Sequence, residues 1–131
     1  MRCWAEFIFK IALEHTLQAL RFFEAVKDEV RTADALKQIS DIEYQLENYG
    51  ASLDYAKRAI EVYSINDDKI YLSYALNNAG LAAEKLRQDL ASEKYYNESI
   101  SLAREMNVQS MISQSLNDLA RLAYTRGNLK Q

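Results

Sequence analysis

Few side chains in this sequence are of the types that do chemistry. His15 stands beside Glu14, but it is the only histidine of the chain. A general base needs a second group converging on the same reacting atom, so His15 reads as a surface or packing residue. Cys3 follows Arg2, whose charge favours a thiolate, yet a lone thiol in an apolar stretch reads as a filler. Asp67-Asp68 lies between Ser64-Ile65-Asn66 and Lys69-Ile70. That setting lacks the spaced oxygen ligands and the glycine of a calcium loop and suits a turn ahead of a helix start. One Cys and one His cannot build a tetrahedral metal site of the usual kind. There is no Gly-rich phosphate loop, no Ser/His/Asp set at a supporting spacing and no Glu-x-x-His pair. The expectation is a protein that is not an enzyme and needs no cofactor or metal.

Bulk properties narrow the partners. With 131 residues, 49% apolar and 27% charged, the chain suits a single domain over 1–131. Sixteen Lys and Arg against nineteen Asp and Glu leave a net charge of -3, the wrong sign for a surface that grips phosphate backbones. Nucleic acid is therefore excluded as the expected partner, including single-stranded RNA, which needs a basic groove. Glu6, Lys10 and Glu14 interrupt the apolar N-terminal stretch, so neither a signal-peptide core nor a membrane span is expected. The single cysteine fits a reducing compartment, and the expected location is the cytoplasm. No proline and only three glycines occur, which permits long helices nearly throughout.

What positions side chains here is a repeat. Displaced by 40 residues, Ala35-Leu36-Lys37-Gln38-Ile39-Ser40 falls on Ala75-Leu76-Asn77-Asn78-Ala79-Gly80, and that on Ser115-Leu116-Asn117-Asp118-Leu119-Ala120. The other half repeats too: Ala12, Thr16, Ala19 and Leu20 fall on Ser52, Ala56, Ala59 and Ile60, and these on Ser92, Tyr96, Ser99 and Ile100. Apolar residues recur at helical spacing in each half, as in Leu36, Ile39, Ile42 and Leu46, or Ile112, Leu116, Leu119 and Ala123. Polar turns are expected at 47–50, 87–89 and 126–128, with longer joins at 66–68 and 107. Six helices follow, near 3–28, 32–47, 51–65, 69–87, 90–106 and 109–126. The units are 1–30 (partial), 31–68, 69–108 and 109–131 (partial). Ser40, Gly80 and Ala120 share one register position, Ser52 and Ser92 another, and Ala59 and Ser99 a third. Small side chains at repeated sites let helix backbones approach closely.

Leu76-Asn77-Asn78-Ala79-Gly80, Leu116-Asn117-Asp118-Leu119-Ala120, the small residues, Tyr95-Tyr96 and the 126–128 turn together resemble the tetratricopeptide repeat family, in its long-unit variant of about 40 residues. The resemblance covers roughly residues 11–131. It departs from the family pattern where Glu47 and Arg87 replace the turn glycine, which recurs only as Gly127, and where the unit-ending proline is missing. It implies an all-α fold of antiparallel helical hairpins stacked as a right-handed superhelix. It also implies a protein-interaction module whose first helices line a concave groove for a peptide or partner helix. The groove positions carried over are Asp34, Lys37, Asp41, Tyr44 and Gln45; Tyr74, Asn77, Asn78, Leu81, Glu84 and Lys85; and Gln114, Asn117, Arg121, Tyr124 and Thr125. The branch that grips a C-terminal carboxylate is excluded, because Asp41 and Asp118 stand among the clamp sites Lys37, Asn78 and Gln114. The alternative reading within the resemblance is a peptide-sensing domain of a larger bacterial transcriptional or signalling regulator.

The first helix carries apolar residues around more than one face. Self-association through Trp4, Phe7, Phe9 or Phe22 is therefore expected, as a homo-oligomer or in place of a neighbouring helix in a longer array. The last unit stops after its first helix, with Leu119 and Leu122 expected to be poorly covered.

Overall fold

The computed structural model describes residues 2–130, with side chains for residues 3–127. Among the described residues it is all-helical: α1 (Arg2–Ala25), α2 (Glu29–Gln45), α3 (Tyr49–Ile65), α4 (Lys69–Lys85), α5 (Asp89–Glu105) and α6 (Gln109–Lys130). Each helix packs antiparallel on its successor through a short join. The joins are all three residues long, including those expected to be longer. Their middle residues, Lys27, Glu47, Asp67, Arg87 and Asn107, all have positive φ, between 53° and 64°. In each join the middle N–H bonds back to the third carbonyl before it, and the next N–H to the fifth, as in Asn48 N to Glu43 O at 2.8 Å and Glu47 N to Tyr44 O at 3.0 Å. This closure usually takes glycine at the left-handed position. Here five larger residues adopt it, because the helices on either side fix the reversal.

The turn expected at 126–128 does not form, and α6 runs through Gly127. Arg126 Nη1 reaches Glu93 Oε2 at 2.8 Å, which holds this turn of α6 against α5. Gly127 keeps a negative φ, so its presence reflects no left-handed turn.

Helix pairs are joined at small-residue crossings. Ser40 Oγ donates to Ser52 O and Ser52 Oγ to Ser40 O, both at 2.8 Å. Ser73 and Ser99 repeat the exchange at 3.0 and 2.9 Å. At the third crossing Ser92 Oγ donates to Gly80 O at 2.8 Å. These serines are buried, and a buried hydroxyl needs a partner; the facing backbone supplies it only at close approach. Tyr96 fills the space that Gly80 leaves open: a Cβ on Gly80 would lie 2.5 Å from Tyr96 Cε1. At the matching place in α2 and α3 the larger Ser40 is accompanied by the smaller Ala56.

Successive first helices touch, α2 with α4 and α4 with α6, whereas no such backbone approach joins α1 to α3 or α3 to α5 among the described residues. The stack therefore curves toward the even-numbered helices. On α6 the buried stripe is Met111, Ser115, Asp118 and Leu122, not the expected Ile112, Leu116, Leu119 and Ala123. Leu122, expected to be poorly covered, is buried.

Two stability changes follow. Gly80→Ala should lower stability by about 1–3 kcal/mol in chemical denaturation, and in a Tyr96→Ala background the same change should be neutral or favourable. Asp67→Gly, which relieves the left-handed position and removes an anion from the C-terminal end of α3, should raise stability by about 0.5–1 kcal/mol.

Candidate functional site

The even-numbered helices bring Tyr44, Leu81 and Arg121 together. With Glu84, Lys85, Arg87, Asp89, Leu122 and Thr125 they line a cleft of about 610 Å³. Tyr44 and Leu81 also line a recess of about 110 Å³ with Ser40, Asp41, Gln45, Ser52 and Asn78. The shared residues make this one continuous groove, with Leu81 of α4 at its centre and Tyr44 on the α2 side. Tyr44 packs edge-on against Tyr49, ring centroids 5.3 Å apart, and Lys85 Nζ lies 6.0 Å from the Tyr49 ring. Burial, with Tyr49 close by, raises the Tyr44 pKa above its ordinary value.

The α6 wall is organised by Arg121. Its Nε and Nη2 fork onto the two carboxylate oxygens of Glu84, each at 2.9 Å, and Nη1 donates to Asp118 Oδ1 at 2.9 Å. Glu84 Oε1 also accepts from the Tyr96 hydroxyl at 2.8 Å, and Asp118 Oδ2 accepts from Asn77 Nδ2 at 3.0 Å. One polar chain thus ties α4, α5 and α6 together. Burial disfavours the Glu84 carboxylate, but the bonds from Arg121 and Tyr96 outweigh it and hold its pKa below the ordinary 4.5. The same bond to Glu84 raises the Arg121 pKa, and burial together with donation to Glu84 raises that of Tyr96.

At the other end of the groove Lys37 Nζ lies 5.8 Å from the Tyr74 ring centroid and 3.3 Å from Asp41 Oδ2. Asn78 Nδ2 donates to Asp41 Oδ1 at 2.7 Å. Lys37 and Asn78 are thus both engaged with Asp41.

The other groove positions divide. Asn77 is only 3% exposed and joins α4 to α6, with Gln114 Nε2 reaching its Oδ1 at 3.5 Å. It is a packing residue, not part of an open surface. Asp34 accepts from the Tyr63 hydroxyl at 2.6 Å. Asn117 is exposed and Tyr124 is 71% exposed, and neither lines the cleft. Gln45, Lys85 and Thr125 do line the groove. Sequence reasoning missed Arg87, Asp89 and Leu122 as lining residues; only the packing of α6 on α4 brings them to one wall.

Of the residues named for self-association, Trp4, Phe7 and Phe22 are exposed on α1, Trp4 at 68%. Phe9 is half-buried in a shallow recess with Ala5, Glu6, Gln45, Leu46 and Glu47. Among the described residues no helix is long and apolar enough to cross a membrane, and no three His, Cys, Asp or Glu side chains converge as metal ligands do. No family model and no curated protein matches this chain.

Because the folded pKa of Glu84 lies below its unfolded value, its contribution to stability is complete above about pH 4.5 and disappears as pH falls through the folded pKa. Glu84→Gln should lower stability by about 1–2 kcal/mol at pH 7. The difference from wild type should shrink steadily in denaturation curves recorded from pH 5 downward.

Proposed function

We propose that the chain is a tetratricopeptide-like interaction module, without chemistry of its own, that binds a peptide segment or partner helix in the groove of α2, α4 and α6. The observation that carries this reading is the groove itself: an apolar floor of Leu81 flanked by the Tyr44 ring, bordered by charged groups that already have partners. An apolar side chain of the ligand removes Leu81 and the Tyr44 ring from water. Lys85 and Arg87 at the border supply donors for peptide carbonyls, and the Thr125 hydroxyl, which already donates to Arg121 O, can accept from a peptide N–H. Since Arg121 is shared between Glu84 and Asp118, one cation for two carboxylates, that wall holds no free cation for a terminal carboxylate, and a segment internal to its own chain is suitable.

The test uses peptides selected from a random display library against the purified protein, with affinities measured by calorimetry. Tyr44→Ala and Leu81→Ala should each weaken binding about tenfold or more, whereas Asn97→Ala on exposed α5 should leave it unchanged. Selected peptides whose affinity follows Asn97 and ignores Tyr44 and Leu81 would overturn the assignment.

A further inference from the structure

The outer faces of α1 and α6 carry the two halves of an interface that the chain already makes twice. In α2 on α3, Ser40 meets Ser52, while Ala33 and Ala59 hold the second small pair, both fully buried. In α4 on α5 the pairs are Gly80 with Ser92 and Ser73 with Ser99. The same register on α6 gives Ser113 and Ala120, and on α1 gives Ala12 and Ala19. All four are small, and none of them is buried.

Two further observations point to the missing partner. Leu36 and Leu76 are 1% and 3% exposed, yet their counterpart Leu116 is 44% exposed. The size compensation also continues. Ser40 goes with Ala56 and Gly80 with Tyr96, and the intermediate Ala120 would go with the intermediate Thr16. Neither face places a charged residue among its register positions, Ser113, Leu116, Ala120 and Ala123 on α6, or Ala12, Thr16 and Ala19 on α1.

We propose that α6 of one copy receives α1 of a second copy, in the manner of α4 on α5, so that copies join head to tail. This continues an interface established within the chain and is independent of what the groove binds. The contact is heterologous, so nothing in it limits assembly to two copies.

Sedimentation velocity on the full chain over a concentration series checks the proposal. Wild type should form species that grow beyond dimers. Ala120→Glu blocks the α6 face and Ala12→Glu the α1 face, and each should weaken association about tenfold or more. Far-UV circular dichroism and a cooperative melt establish that each variant is folded, and Ile8→Glu on exposed α1 replaces Ala12→Glu if that chain fails to fold. Mixed, the two blocked chains should combine as a 1:1 heterodimer, because each retains the face that the other lacks. A wild type still monomeric at about 1 mM, a closed dimer insensitive to Ala120→Glu, or blocked chains that fail to combine would each overturn it.

Discussion

Two helix backbones approach only as closely as the side chains between them allow, and that distance governs this molecule. At Ser40 with Ser52, and at Ser73 with Ser99, the approach is close enough for each hydroxyl to reach the facing carbonyl. The hydroxyls are satisfied only at that spacing and register, so the same atoms that permit the approach also fix it. The Gly80 crossing extends the effect to the groove. Without a side chain there, Tyr96 enters the space, and its hydroxyl arrives at Glu84. Glu84 in turn positions Arg121, which holds Asp118 and through it Asn77. A missing methyl in the core thereby sets the charge pattern on the α6 wall of the cleft.

The helices and their pairing were legible because a 40-residue period and an unbroken 3.6-residue rhythm are both visible in a single chain. The close crossings were legible as small residues but not as hydrogen bonds, since nothing in Ser40 or Ser52 alone tells whether the hydroxyl finds water or a carbonyl. Gly127 is the exception: Arg126-Gly127-Asn128 has the composition of a turn, yet α6 continues through it, with Arg126 bonded across to Glu93. The left-handed turns occur instead at Lys27, Glu47, Asp67, Arg87 and Asn107, three of them, Lys27, Glu47 and Arg87, residues that local propensity would not choose.

Groove residues were harder to read for a geometric reason. On a first helix adjacent positions turn toward the two neighbouring first helices, α6 on one side and α2 on the other, as Asn77 and Asn78 show. Asn77 is buried against Asp118, while its neighbour is half-buried and bound to Asp41. The register assigns both to the same face, and only the approach of α6 to α4 separates them. Polar side chains in such a place bond to each other across helices, which leaves Leu81 and Tyr44 as the surface with most to gain from a ligand.

The five joins have one further meaning. Because each is three residues long and closes in the same way, the backbone path does not distinguish a turn within a unit from a turn between units. The distinction between inner and outer helices rests on the side chains, their volume and the bonds they make between first helices. The curvature of the array is therefore written in residue sizes and not in loop lengths, so substitution can open or tighten the groove while the course of the main chain stays the same.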